Sequence, residues 1–447
     1  MAGMKNSNEE YYTGSVTELA DIVPVITSQE VFSDTGMKLV NKGIRLNSSF
    51  FERLGRHNIL PPLEQCLIVE NGVNNAEIVT IAQQLLEIDP PLAHMASNIP
   101  DPAALFEIMQ AVTLSNPVIF LLTLARERRP RLLTHSVTVA LICIYLGVRL
   151  GLPRQKLIEL ASAGLFHDLG ELRIDARLLG AGAHPTPEER AQIYKHPATS
   201  QRILLNSSIY SLEIINAVMR HHESVDGSGY PFGLRGIEMG QAAQILAIAE
   251  VAGTKLEQEA LDGVPRLEIA LKLNMQKFDA KLLGYLSVLY GHKPVLYDYE
   301  YESGNLKEYV ALTSAQVSVP YIHNQINNIG LAIVYWQRLL GETQVRPRSP
   351  SAYIQQRLHD LSLAAREAGI NPADKFSVTA GIEHDEKSLV ELKQINQEAL
   401  QQITETVFEV QRRWPTYQSD HTPVGKVVSS WMEHMQGLLL EQRERKL

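Results

Sequence analysis

The chain has almost no cysteine: Cys66 and Cys143 are the only two in 447 residues. That excludes a disulfide framework, and Cys143, inside an apolar helical run, is expected to act as a small buried hydrophobe in a reducing compartment. Basic side chains are also in deficit, 41 against 50 acidic ones, for a formal charge of −9. This balance argues against a general affinity for nucleic acid polymers or anionic membranes, so an anionic substrate has to be drawn in locally. The beginning, with Lys5, Asn6, Asn8, Glu9 and Glu10, lacks the apolar core of a signal peptide. Long apolar runs are missing too: Val118 to Ala125 is short and Val137 to Leu152 carries Arg149, so neither is expected to span a bilayer. A cytoplasmic protein is the expectation. There is no tandem repeat or low-complexity tract, and the N-terminal region has no phosphate loop, zinc-ligand spacing or nucleophile signature.

What is present reads mainly as helix. The length calls for two or three domains. Residues 1 to about 14 are polar and expected to be loose, and the run from Ile22 to Thr27 is β-rich. Lys38 to Val40 and Ile44 to Leu46 flank Asn41-Lys42-Gly43 as a small hairpin, and Asn47 or Ser48 can cap the helix that follows. Helical periodicity then runs from Asn75 to Ile88, breaks at Pro90-Pro91, and resumes from Pro102. Leu132 to Leu150 is strongly helical with His135 near its start, and the apolar face of Leu157, Leu160, Ala161, Gly164 and Leu165 delivers His167 and Asp168. Thr186-Pro187-Glu188-Glu189 is a capping box whose helix should carry His196 about two and a half turns on. A helix over Gln241 to Thr254 brings in Glu250. Beyond His292 a tyrosine-rich segment leads into helices near 324–340, 352–368, 386–413 and 427–444. The expected fold is thus mainly α: a small α+β module over 1–100, a helical core over 101–292 and a helical C-terminal region over 293–447.

Most of the residues capable of chemistry lie between Leu165 and Tyr230: His167-Asp168, His196-Pro197, His221-His222-Glu223 and Asp226-Gly-Ser-Gly-Tyr-Pro231. Neutral imidazoles and a carboxylate recurring in a helical pattern suit manganese, iron, zinc or nickel. A His-Asp pair alone means little, because it recurs at His359-Asp360 and His384-Asp385 without further ligands around it. His57, His94, His184, His292, His323, His421 and His434 read as ordinary polar or partly buried residues.

In this order, His135, His-Asp, a lone histidine, a histidine pair and Gly-Tyr-Pro resemble the HD-GYP family of metal-dependent phosphodiesterases. The resemblance runs from about Leu132 to Tyr290 and ends on Lys277-Phe-Asp-Ala-Lys281. It implies an all-helical HD core and hydrolysis of the bacterial messenger cyclic di-GMP, or a related nucleotide, by a metal-bridged hydroxide. It also implies two divalent metals, iron or manganese, held by His135, His167, Asp168, His196, His221, His222 and Glu250. Asp168 bridges in that scheme, and Asp168 and His167 are the catalytic pair. Lys195 and Arg235 are the candidate substrate-binding residues, and the terminal modules are available to protein partners.

The departures from the family lie on the substrate side. Glutamate stands at 250 where aspartate is usual, and His-Asp-x-Gly-Lys becomes His-Asp-Leu-Gly-Glu171. An ungapped register puts Gly253 and Glu259 in the place of the family's phosphate clamp. Arg131 occupies the position where three-metal members carry glutamate, so at most two metals are expected. The alternative expectations are a catalytically weak or silent signalling protein acting through protein contacts, and an HD hydrolase with a different nucleotide substrate.

Overall fold

The computed structural model describes residues 7–179, 185–262, 266–290, 319–341, 345–367 and 386–444. The tyrosine-rich segment, His184, His292 and His384-Asp385 lie outside the described residues. The architecture is mainly helical, with four short strands near the N-terminus. Packing divides the chain into two units, one of Met1–Glu257 with Lys277–His292 and the other of Gln258–Gln276 with Lys293–Leu447.

In the first unit, helix α1 (Ser7–Ile22) replaces the loose start expected from polarity. Tyr12, Val16 and Leu19 recur at helical spacing and are buried, so a narrow apolar stripe outweighs the polar residues around it. Strands β1 (Val25–Thr27), β2 (Val31–Phe32) and β3 (Lys38–Val40) follow. The hairpin differs from expectation: β3 pairs with β2 across Ser33 to Gly36, where Gly36 has φ +84. Ile44 to Leu46 returns to β1 instead, through the Ile26–Arg45 bridge and the Leu46 N–H donating to Val25 O at 2.9 Å. Asn47 caps the turn before α2 (Phe51–Gly55), as expected. Strand β4 (Leu67–Val69) completes an antiparallel pair with β1.

Helices α3 (Asn75–Ile88), α4 (Pro90–Ser97), α5 (Ala103–Gln110) and α6 (Asn116–Arg128) lead to α7 (Pro130–Arg149). Nearly every residue of α7 from Leu132 to Gly147 is buried, each large apolar side chain contributing about 1.5–3 kcal/mol. By length and composition α7 could cross a membrane, but 83% of its apolar window is buried within the protein. Against it lies α8 (Arg154–Phe166), at a separation that tolerates no side chain at Gly164, whose added Cβ would sit 2.6 Å from Ala140 Cα. This contact brings the end of α8 alongside the start of α7. Helices α9 (Pro187–Ile193), α10 (His196–Ser207), α11 (Leu212–Met219) and α12 (Gln241–Asp262) follow this pair in sequence order. The first unit closes with α14 (Ala280–Leu286), after the short α13 (Leu267–Leu273) of the second.

The second unit contains α13 and helices α15 (Val319–Leu340), α16 (Pro350–Glu367), α17 (Glu386–Arg413) and α18 (Pro423–Glu444). Trp336, Ile354, Leu361, Ile403, Val407 and Trp431 form its core, and the Trp431 indole donates to Ala332 O at 3.0 Å. Residues 258–276 join it through Gln402 Nε2 donating to Leu273 O at 3.0 Å and Asn274 Nδ2 donating to Glu398 Oε1 at 2.7 Å.

Candidate metal centre

Three of the histidines are oriented the same way by the backbone. His167 ends α8 with Nδ1 2.8 Å from Gly164 O, and His196 opens α10 with Nδ1 2.8 Å from Ile193 O. His221 follows α11 with Nδ1 2.6 Å from Val218 O. A carbonyl acceptor holds the ring proton on Nδ1, which leaves the Nε2 lone pair for another partner. Each imidazole thereby faces inward in its ligating tautomer.

His196 reaches this position by a route other than the expected one. The capping box at Thr186 is present, but α9 ends at Ile193 and a new helix starts at His196. Pro197 explains the break, since proline is suited to a first turn and not to a helix interior. Helix α10 is held close: Gly170 N donates to Ser200 Oγ at 2.8 Å, and an added Cβ on Gly170 would stand 2.3 Å from His196 O.

The inward atoms converge in two groups that share one residue. His135, His167, Asp168 and Glu250 form one, and Asp168, His196, His221 and His222 form the other, with the ligand atoms of each group all within 4.8 Å of one another. Asp168 turns Oδ2 towards His167 Nε2 at 3.1 Å and Oδ1 towards His196 and His221 Nε2 at 3.2 and 3.4 Å. Glu250 Oε2 lies 2.8 Å from His135 Nε2 and 3.0 Å from His167 Nε2, so the extra methylene of glutamate still reaches the group. His196 Nε2 lies 3.1 and 3.2 Å from the Nε2 atoms of His221 and His222.

These donors fit divalent cations. Nitrogen lone pairs turned towards one another repel unless a proton or cation lies among them, and the buried His167 Nε2 and Asp168 Oδ1, for all their close neighbours, make no well-aligned hydrogen bond among the described residues. The electrostatics agree. Burial alone would lower the His135, His167 and His196 pKa values, yet neighbouring carboxylates raise all three: Glu250 at His135, and Asp168 at His167 and His196. Burial would raise Asp168 and Glu250, but the imidazoles hold both well below the usual carboxylate range. At His221 and His222 burial prevails and keeps the rings neutral, the form that binds metal.

The glycine-tyrosine-proline loop braces this arrangement. Tyr230 stacks between His222, with centroids 4.7 Å apart, and Tyr194, at 4.0 Å. Glu223, to which the sequence pattern assigns no role, is buried and accepts the backbone N–H groups of Phe232, Gly233 and Leu234 at 2.6, 3.2 and 2.9 Å. Its signal is legible as a carboxylate directly after the histidine pair and ahead of a glycine loop. Glu257 is a further addition to the site: α12 runs past Thr254 to Asp262, and Glu257 Oε2 lies 3.5 Å from His135 Nδ1.

Of the candidate substrate residues, Lys195 is exposed immediately before His196. Arg235 is exposed and lies across Gly227, which has φ +79 and whose added Cβ would meet Arg235 Nε at 2.7 Å. Gly253 lets α12 approach α7, since its added Cβ would stand 2.9 Å from Val139 Cγ2. Glu259 accepts the Arg266 and Leu267 N–H groups at 2.5 and 2.6 Å, a structural role at the start of α13. Glu171 is clasped by Arg129, whose Nη2 lies 3.0 Å from Oε2 and whose Nη1 donates to the Glu171 carbonyl at 2.8 Å.

Comparison with known proteins matches residues 120–254 to the HD domain family. A cyclic di-GMP phosphodiesterase of Pseudomonas aeruginosa is 33% identical over 117 residues, covering 26% of this chain and 28% of that protein. One from Borreliella burgdorferi is 28% identical over 199 residues, covering 43% of this chain and 52% of its own length. A 3'3'-cGAMP-specific phosphodiesterase of Vibrio cholerae is 34% identical over 117 residues, 26% of this chain and 27% of that one. The chain thus spans about half or less of the length of these curated relatives. The resemblance read from the motifs is upheld by these matches.

Proposed function

On the premise that residues 120–254 are an HD domain, we propose that the protein is a cytoplasmic metal-dependent phosphodiesterase that hydrolyses cyclic di-GMP or a related cyclic dinucleotide. The observation that carries this reading is the carboxylate of Asp168, which turns one oxygen to each of two histidine-rich groups. His135, His167, Asp168 and Glu250 would hold one divalent cation and His196, His221, His222 and Asp168 a second, iron or manganese in both. Two such cations supply Lewis-acid activation of water and neutralise charge on the entering and leaving oxygens at phosphorus. Asp168 would hold the two groups in register, while His167, tied to Gly164 O and wedged between Asp168 and Glu250, keeps the first group rigid. Lys195 and Arg235, both exposed, would meet substrate phosphates at the rim.

One observation favours the second reading, a catalytically weak or silent signalling protein working through protein contacts: the anion Glu171, whose N–H donates to Asp168 O at 2.9 Å, stands where the resemblance calls for a phosphate-facing cation. The two readings are separated by purifying the protein with manganese or iron, measuring metal per chain, and assaying cyclic di-GMP and 3'3'-cGAMP beside an Asp168→Ala variant. Metal-dependent turnover that is lost in the variant supports the phosphodiesterase. Metal-free protein with no turnover supports the signalling reading, and protein that binds metal but turns over neither dinucleotide points to another phosphoester substrate.

A further inference from the structure

Arg129 and Glu171 are 42 residues apart and form a shielded pair, with side chains 15% and 17% exposed. Arg129 is the residue immediately before α7, one turn and a half ahead of His135. Glu171 lies in the 3-10 turn Leu169–Arg173, and its N–H donates to Asp168 O at 2.9 Å. In a 3-10 turn, residues three apart eclipse, so Glu171 shares a face with Asp168. That backbone bond to Asp168, the residue shared by both ligand groups, keeps the pair next to the centre.

The guanidinium is only partly committed. Among the described residues, two of its five N–H donors are used, one on the Glu171 carboxylate and one on the Glu171 carbonyl. An arginine fork grips phosphate oxygens with the same geometry it uses on a carboxylate, commonly with two parallel bonds. We propose that Arg129 is a further phosphate-binding residue of this centre, inside the rim of Lys195 and Arg235, and that Glu171 is its resting counter-ion, displaced from the guanidinium when a phosphodiester arrives. The assignment rests on the phosphodiesterase reading for the identity of the substrate, but not for the binding of its phosphate. It also sets a preference: Glu171 stays beside the site and repels a dianionic phosphomonoester more than a monoanionic diester, since Coulomb repulsion scales with charge.

The test is a binding ladder on the full-length protein, with bis(p-nitrophenyl) phosphate as the diester probe and phenyl phosphate as the monoester. Isothermal titration is run on manganese-loaded and on metal-free protein. Arg129→Ala should weaken diester binding about tenfold and Arg129→Lys by less, because lysine keeps the charge without the fork. Glu171→Gln should tighten it several-fold and narrow the preference for diester over monoester, and that gain should vanish in the Arg129→Ala/Glu171→Gln double variant. Melting temperatures identify any variant that fails to fold, in which case the lysine and glutamine variants carry the result. Equal affinity across the ladder, weaker binding in Glu171→Gln, or no diester binding by the wild type overturns the assignment. If the ladder holds while cyclic dinucleotides are not cleaved, the phosphodiesterase reading fails and the Arg129 assignment stands.

Discussion

The dipeptide His-Asp occurs at 167–168 and again at 359–360, with a buried aspartate in both places but different company. His167 is wholly buried, Asp168 is 6% exposed, and both face five further ligand candidates drawn from α7, α10, α12 and the end of α11. His359 is exposed on α16, and Asp360 accepts from Gln356 Nε2 of its own helix at 2.8 Å. The same two side chains are therefore a metal-centre candidate in one place and, in the other, an exposed histidine beside a buried aspartate that is bonded within its own helix. The difference lies in whether the backbone around them presents lone pairs to a shared point.

The largest effect expected from this contrast is at Asp168. Asp168→Ala removes an oxygen from both groups at once, so metal per chain should fall for both and phosphodiester turnover by on the order of 10³-fold or more. Metal analysis by mass spectrometry checks the first, and a variant that still binds two metals would break the comparison.

Next is the brace behind the His-Asp turn. Arg173 grips the buried Glu64 at 2.7 and 2.9 Å and Glu9 at 2.8 Å, and lies over the Tyr12 ring. Arg173→Met leaves Glu64 buried without its cation, which should cost about 3–5 kcal/mol in chemical denaturation. Gly170→Ala should cost about 1–3 kcal/mol, because the added methyl meets His196 O, and it should weaken the His196 group more than the His135 group. Metal titration of that variant sharpens the comparison by moving one group alone.

A smaller, graded effect is expected with pH. Burial would lower His167, but Asp168 and Glu250 raise it from 6.5 to about 10 in the metal-free protein. A raised imidazole pKa contributes stability in full below the unfolded value and loses it as pH rises through the folded one. Metal uptake displaces that proton, so below about pH 10 the apparent affinity should rise roughly tenfold per pH unit for each proton released. Proton release on manganese addition in weak buffer measures it, and a pH-independent affinity would break the assignment. The smallest effect is at the second copy: His359→Ala should leave metal content unchanged and shift stability by less than about 0.5 kcal/mol.

Much of the centre is legible in the amino-acid sequence. The ligand types, their order and the periodic helices that carry them are local properties, as are the capping box at Thr186 and the buried Cys143. Three features depart from the expected pattern, the first two because packing prevails over local polarity and turn signals, the third because a local proline signal outweighs the capping box upstream. Tyr12, Val16 and Leu19 make a helix of a polar start, Ile44 to Leu46 pairs with β1 and not with β3, and Pro197 moves His196 from the middle of one helix to the start of another.

What the sequence by itself determined is which side chains could hold metal and in what order they come. What only the tertiary structure decided is where their atoms point and what stands beside them. His135 and Glu250 meet across 115 residues, and Arg129 and Glu171 across 42. The centre as a whole depends on helices approaching closely at Gly164, Gly170 and Gly253, and on carbonyls that turn His167, His196 and His221 inward. A glutamate that reads in sequence as a lost cation is, in the fold, the partner of a cation from elsewhere, because an ion pair depends on distance in space and not on separation along the chain.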